Sequence, residues 1–219
     1  MNQKQVWRVS LSSQTFKLFP ELVHVKILNN IKDDEIKLVN DELKKLEYEN
    51  SGWEDNKHIS ESSISKQIFK LIPFTNIRKK IKDEFNIYKN DVLKYNDNDF
   101  VYTTSWSTRT KPNMSSDYHN HTNCMFSGIL YTKTKPNCGD LNFCNFNHKG
   151  FNVNPSEYNL ENSNTFKLVP QDKMVVFFPS HLYHRITTNK TKSTRYSIAF
   201  NFIPVGNVGK GDSALKLKL

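Results

Sequence analysis

The chain has 219 residues, a net charge of +9 at pH 7 and a hydrophobic content of 37%. This length and composition indicate a folded globule with a sizeable core and exclude an intrinsically disordered chain. The longest apolar runs, such as Met174–Phe178, are far too short to cross a bilayer, and the first residues contain no apolar signal segment. Three cysteines without a CxxC pair fit a reducing compartment, so we expect a cytoplasmic protein.

The positive charge is spread along the whole chain. No block of lysine and arginine alternates with aromatic residues in a way that would outline a nucleic-acid groove. Nucleic acid therefore stays an open but disfavoured partner.

Amphipathic helices are predicted for the first hundred residues. Phe16–Ile27 is predicted to contain a first strand. The acidic turn Asp33-Asp34-Glu35 precedes hydrophobic residues at helical spacing from Ile36 to Leu46, which predicts a helix. A shorter helix is predicted over Ser65–Ile72, ending at a proline, and a longer one from Ile77 to about Tyr95. We expect their apolar stripes to face the core.

From about Phe100 onward, the hydrophobic pattern changes to the alternation of strands. Turn sequences such as Lys111-Pro112-Asn113 and Lys135-Pro136-Asn137 separate the runs. The predicted strands lie at 100–106, 117–121, 126–132, 140–146, 165–169, 174–178, 184–188 and 194–203. About eight short strands after a helical half predict an α+β fold, with helices packed on an antiparallel double sheet.

The histidines of this strand region form the most informative pattern in the chain. His119 and His121 on one strand would present both imidazoles on the same face, and His184 from a distant strand could complete a facial set of three ligands. Arg195 follows eleven residues later, where a dicarboxylate would need a fixed bidentate cation. This arrangement predicts a non-haem iron site fed by 2-oxoglutarate.

The same region resembles a known family. The resemblance lies in Trp106 and in the motifs YHNHTNCMFSGILYT, GDLNF, VVFFPSHLYHRIT and RYSIAFNF, and it extends to LFPELVHVKIL and SGWED in the N-terminal half. In this order they resemble the 2-oxoglutarate/Fe(II) oxygenases found in marine phages and bacteria. The resemblance implies a double-stranded β-helix (jelly-roll, cupin-like) core, an iron centre and 2-oxoglutarate as co-substrate. We predict one domain over residues 1–219, with 1–99 mainly helical, 100–205 the β-helix core and 206–219 a tail.

The family pattern implies His119, His121 and His184 as the iron ligands. Better-known members carry a carboxylate where this chain has His121, so the sequence departs from the 2-His-1-carboxylate pattern. Asp117 would share the strand face. It either accepts a hydrogen bond from the N–H of a metal-binding histidine or is the true carboxylate ligand.

The co-substrate residues follow in the same way. Arg195 would bind the distal carboxylate of 2-oxoglutarate, with Ser197 on the same strand face and Tyr131 as a further donor.

The resulting prediction is a dioxygenase that hydroxylates a small metabolite or a peptide side chain and releases succinate and CO2. If a phage encodes it, the location is the host cytoplasm. Two alternatives stay open, namely a tri-histidine metalloenzyme of cupin type that does not use 2-oxoglutarate, and a β-helix binding module without activity. Oligomeric state is open as well, and a homodimer through edge strands is one option.

Overall fold

The computed structural model describes residues 15, 17–50, 58–146 and 153–218. The SGWED motif at 51–55 and the start of the predicted first strand lie outside these residues. The helices are α1 (Asp33–Lys45) and α2 (Thr75–Ile87), and the strands are β1 (His24–Ile27), β2 (Tyr48–Asn50), β3 (Glu61–Ser63), β4 (Asp99–Thr110), β5 (Phe126–Lys133), β6 (Leu141–Cys144), β7 (Thr165–Leu168), β8 (Met174–Pro179), β9 (Tyr183–Ile186), β10 (Arg195–Val208) and β11 (Leu215–Leu217). Among the described helices, none is long and apolar enough to span a membrane.

Two antiparallel sheets form the β part of the molecule. The main sheet has the strand order β1-β8-β5-β10-β4-β3-β2, with β11 added to β10, and the small sheet has the order β7-β6-β9. One hydrophobic cluster lies between the sheets, where Ile129 and Phe178 of the main sheet pack with Leu141 and Phe143 of the small sheet. The predicted antiparallel double sheet is confirmed.

The helices cover the opposite face of the main sheet, as predicted. Val39 and Leu43 of α1 and Ile77 and Ile81 of α2 are buried there. Phe85 of α2 lies at the centre of an aromatic cluster. Its ring lies 4.1 Å from that of Phe202, 5.4 Å from Phe177, 5.5 Å from Phe100 and 5.7 Å from Phe126, measured between centroids. This packing anchors α2 to four adjacent strands, β8, β5, β10 and β4, and leaves the other sheet face to the site.

The ends of both helices follow their sequences. The acidic first turn and the final Lys44 and Lys45 of α1 complement the helix dipole. A π-helical turn, Tyr88–Val92, continues α2. This wider turn keeps Tyr88 buried and shifts the later positions outward, so that Val92 is 50% exposed although the apolar stripe predicted it in the core.

Two predicted elements are wrong. Residues 65–72 do not form an α-helix. Two 3-10 turns occupy Ile68–Lys70 and Ile72–Phe74, and the proline lies inside the second. Residues 117–121 do not form a strand either and join β9 only through a single bridge at His119. The short strands β2, β3 and β11 were not predicted, because three residues are too few to show the alternation that identifies a strand.

Gly128 on β5 allows this strand to pass close to Phe200 of β10. A Cβ atom there would overlap the Phe200 ring and lie 2.9 Å from the carbonyl oxygen of Val176. We expect Gly128→Ala to lower the free energy of unfolding by about 2 kcal/mol through overpacking, measured by denaturant titration. Gly206→Ala is the comparison, because Gly206 has a φ of 87° but nothing within 4 Å. An equal or smaller loss in Gly128→Ala would contradict the overlap.

Candidate active site

Three main-chain hydrogen bonds hold the segment that carries His119 and His121. His119 N–H donates to the carbonyl of His184 (3.0 Å), and His184 N–H donates back to that of His119 (2.9 Å). His121 N–H donates to the carbonyl of Ser180 (2.9 Å). The segment therefore lies beside the turn that leads into β9, and this pairing brings the three histidines together.

The imidazoles converge on one point. Their possible ligand atoms all lie within 4.8 Å of one another. Ring centroids are 4.4 Å apart for His119 and His184 and 5.2 Å apart for each of the other two pairs. His184 is buried, His121 is half-buried and His119 is exposed. Three nitrogen donors at this spacing can hold one transition-metal ion on an open face.

Backbone carbonyls orient two of these rings. His119 Nδ1 lies 2.9 Å from the carbonyl oxygen of Asp117, and His184 Nδ1 lies 2.9 Å from that of Leu182. A carbonyl oxygen only accepts hydrogen bonds, so each Nδ1 carries the proton and donates it. Nε2 of both rings then keeps its lone pair for a metal.

Burial keeps the deeper imidazoles neutral. Desolvation, together with the neighbouring His119, lowers the pKa of His184 to about 3 and that of His121 to about 4, from an ordinary value of 6.5. The neutral form is the one that binds a metal ion.

These lowered pKa values predict a pH-dependent stability of the metal-free protein. Below pH 6.5 the unfolded chain binds protons at both positions and the folded chain does not. The free energy of unfolding should therefore be complete above pH 6.5 and decrease as the pH falls toward about 4. Denaturant midpoints between pH 7 and 5 measure the effect in a window where carboxylates are mostly ionised in both states. His184→Gln should flatten the profile, and an unchanged slope in that variant would contradict the assignment.

Asp117 does not join the metal cluster of this structure. It lines the same cavity but contacts His119 through its main-chain carbonyl. The prediction that residues 117, 119 and 121 share one strand face is wrong, because this segment is not a strand and its side chains do not follow strict alternation.

Arg195 is a buried cation with unused donors. It is 1% exposed at the start of β10, and its Nη1 donates to the carbonyl of Gly139 (2.9 Å). Its Nε and Nη2 are buried and have no hydrogen-bond partner. The Tyr131 ring lies 5.4 Å from the guanidinium carbon, and the buried Tyr131 hydroxyl has no partner either. Desolvation lowers the pKa of Arg195. Buried donors are rarely left unsatisfied, so this group requires an acceptor.

A cavity of about 450 Å³ opens beside the histidines. Ser197 and Ala199 line it from β10, two and four residues after Arg195, whereas Arg195 and Tyr131 are not among the residues that line it. Trp106 forms a wall of the cavity, with its ring 5.6 Å from that of His121. Apolar lining comes from Ile59, Gly128, Ile129, Phe178, Ile186 and Phe200, and polar lining from Ser60, Ser62, Lys66, Thr108, Ser116 and Tyr118.

Sequence reasoning missed the polar wall around Ser62 and Lys66. These residues reach the cavity because β3 pairs with β4, and Glu61 and Ser62 lie opposite Arg109 and Thr108. The only sequence signal was a run of serines at 60–65, which equally indicates a loop.

One family model matches part of the chain. Residues 104–201, somewhat less than half of the chain, match the family described as "Putative 2OG-Fe(II) oxygenase". This span reaches from β4 to β10 and contains the three histidines, Tyr131, Arg195 and Ser197. In this part, the chain is similar to the 2OG-Fe(II) oxygenases. No curated relative matches the oxygenase in sequence.

Solved structures agree in fold. The prolyl-4-hydroxylase of Pseudomonas putida is 15% identical with a TM-score of 0.57, and the match covers 82% of this chain and 91% of that chain. HygX of Streptomyces hygroscopicus, solved with nickel, 2-oxoglutarate and hygromycin B, is 13% identical with a TM-score of 0.57, covering 83% and 82%. A prolyl hydroxylase of Trichoplax adhaerens, in complex with a hypoxia inducible factor peptide fragment, is 11% identical with a TM-score of 0.57, covering 83% of both chains. At these identities the likeness establishes the fold.

The double-stranded β-helix with helices on one sheet is therefore confirmed, as is the oxygenase class of the enzyme. Iron and 2-oxoglutarate are its cofactor and co-substrate. The residues present fit both groups, since neutral imidazoles suit iron and the unsatisfied donors of Arg195 suit a carboxylate.

Proposed function

We propose that His119, His121 and His184 hold the iron, and that Arg195, Ser197 and Tyr131 bind the distal carboxylate of 2-oxoglutarate. The reaction is hydroxylation of a small metabolite or a peptide side chain. The observation that carries the proposal is the buried guanidinium of Arg195, with two nitrogen atoms that lack any partner. Such a group is costly without an anion, and a planar carboxylate fits its fork.

Charge balance supports this assignment. Three neutral imidazoles leave the full +2 charge on iron, and Arg195 adds one positive charge nearby. A dicarboxylate offsets two of these three charges, with one carboxylate at each end of the site. The charge of Asp140 raises the pKa of Arg195, but the two side chains form no ion pair in the described part of the chain. A bound anion is therefore the partner that best completes this part of the site.

The chain's own residues have three tasks in the reaction. His119 and His184 present Nε2 because their Nδ1 protons are held by carbonyls. Arg195 and Tyr131 fix the far end of the co-substrate. Phe178, Ile129 and Phe200 form an apolar wall that limits the access of water. When bound, iron and 2-oxoglutarate would allow dioxygen to act as the oxidant, with one of its oxygen atoms entering succinate as CO2 is released and the other entering the hydroxylated substrate.

The size and lining of the cavity support a small substrate or a single side chain. A volume of about 450 Å³ must accommodate 2-oxoglutarate and the reacting part of the substrate together. Neighbours of this fold include a prolyl hydroxylase with a peptide bound and HygX with hygromycin B bound. Both kinds of substrate thus fit the fold, and the polar wall of Ser60, Ser62 and Thr108 favours a substrate with hydrogen-bonding groups.

We also infer that the oxygenase works in the cytoplasm. Cys124, Cys138 and Cys144 are free, as in proteins of a reducing compartment.

Anaerobic titration of iron(II) and 2-oxoglutarate into metal-free protein tests the proposal. A weak visible charge-transfer band should appear only when both are present, because it arises from the iron chelate. Tight metal binding without this band would favour the alternative, a tri-histidine metalloenzyme that does not use 2-oxoglutarate. Absence of metal binding would favour a binding module without activity.

A further inference from the structure

We propose that Asn201 is a positioning residue for His121, acting through a buried hydrogen-bond relay across the main sheet. The relay consists of Thr104, Asn201, Ser127 and Ser180, and we call it the Asn201 relay. It lies on β4, β10, β5 and the residue after β8. The inference rests on the proposed function in one respect, namely that His121 is a metal ligand.

The hydrogen bonds of the relay run in one direction. Ser127 Oγ donates to Asn201 Oδ1 (2.7 Å) and lies 2.8 Å from Ser180 Oγ. Ser127 has one hydroxyl proton and donates it to Asn201 Oδ1. The Ser180 hydroxyl must therefore donate to Ser127 Oγ. At the other end, Asn201 Nδ2 donates to Thr104 Oγ1 (3.0 Å). The order from the site is therefore Ser180 to Ser127 to Asn201 to Thr104.

Ser180 connects the relay to the metal site. Its carbonyl accepts the main-chain N–H of His121 (2.9 Å), and its own N–H donates to the carbonyl of Met125 (3.0 Å). Both ends of the loop from His121 to Met125 are thus held by one residue. Ser180 also begins the turn into β9, which carries His184. A shift of Ser180 would therefore move the His121 backbone relative to His184.

Burial and local backbone geometry support a role of the relay in fixing the geometry near the metal site. Ser127 and Ser180 are each 1% exposed and Asn201 is 8% exposed, between the core residues Phe200 and Phe202. A buried amide gains little over an apolar side chain unless its bonds fix a unique geometry. The pairing of β10 with β4 shifts register between Asn201 and Phe202. Such irregularities re-aim side chains next to active sites.

The test uses Co(II) as the probe, with the dissociation constant from calorimetry and the visible spectrum of the bound ion. In Ser127→Ala and Asn201→Leu we expect about tenfold weaker Co(II) binding and a shifted spectrum, the size typical when a ligand loses its support. Two variants are used because either alone could fail to fold.

Ser105→Ala is the matched control. Ser105 of β4 is also 1% exposed. Its Oγ accepts the N–H of Phe69 (3.0 Å) and takes no part in the hydrogen bonds of the relay, although Ser105 follows Thr104 in the chain. Ser105→Ala should lower the free energy of unfolding about as much as Ser127→Ala does, and it should leave the Co(II) affinity and spectrum unchanged.

Two outcomes would overturn the inference, and they separate it from the proposed function. In the first, wild type binds Co(II) through His184, yet Ser127→Ala and Asn201→Leu match wild type or lose no more affinity than Ser105→Ala. The positioning role of the Asn201 relay is then wrong, and the ligand assignment stands. In the second, wild type does not bind Co(II), or its binding does not depend on His184. The ligand assignment is then wrong, and so is the positioning role of the relay.

Discussion

Arg195→Ala is expected to weaken 2-oxoglutarate binding about 30-fold or more, because truncation of one partner of a buried charge pair costs roughly 2–5 kcal/mol. Nε and Nη2 of Arg195 are buried and have no hydrogen-bond partner among the described residues, so they are available to a carboxylate. The titration of 2-oxoglutarate into the anaerobic Fe(II) protein measures this loss through the charge-transfer band. Arg195→Lys should also bind weakly, since an ammonium keeps the charge but not the planar fork.

Replacement of Arg195 should affect the free energy of unfolding differently from ligand affinity. Without ligand, Arg195 is a desolvated cation with one hydrogen bond, to Gly139. Its replacement by Met, which keeps much of the volume, should leave the free energy of unfolding of the ligand-free protein unchanged or raise it. Arg109→Met is the control for both measurements, because Arg109 pairs with Glu61 and has no contact with the proposed carboxylate site. Wild-type affinity in Arg195→Ala, or a loss as large in Arg109→Met, would contradict the assignment.

His184→Ala is expected to lower metal affinity at least about 100-fold and to abolish succinate formation, since a two-nitrogen site no longer holds iron on a facial set. His184 is the most buried of the three histidines and contacts both of the others. Metal content after dialysis and calorimetric titration with Co(II) measure the effect.

His181→Ala provides the matched control, because this histidine lies three residues earlier, is exposed and pairs with Glu21. It should bind metal as wild type does. His121→Asp should also retain iron, because a carboxylate at this position restores the common facial triad. Asp117→Ala should keep its affinity for metal as well. If Asp117→Ala loses metal and His121→Ala does not, then Asp117 is the third ligand and the tri-histidine assignment is wrong.

Local sequence patterns were sufficient for the elements with strong periodicity. The α1 stripe of Ile36, Val39, Leu43 and Leu46 and the alternation of β4 lead directly to the observed elements, because a single buried face imposes its period on the sequence. The turns at Asn113 and Asn137 have φ values of 66° and 65°, a conformation that asparagine tolerates. The 3-10 turns at 68–74 could not be predicted, since Ile68, Phe69 and Phe74 have the spacing of a short helix and only packing selects the tighter turn.

By itself, the sequence determined the chemistry available to this oxygenase: three histidines, one arginine in a fixed order and an antiparallel fold to present them. These features are encoded in residue type and spacing. Tertiary structure alone decided that His119 and His121 lie on a loop bridged to His184, that Arg195 is buried with free donors, and that Ser62 and Asn201 flank or support the site. Pairings between residues about 45 to 75 positions apart produce these contacts, and no local pattern in the chain records which distant partner a polar side chain will meet.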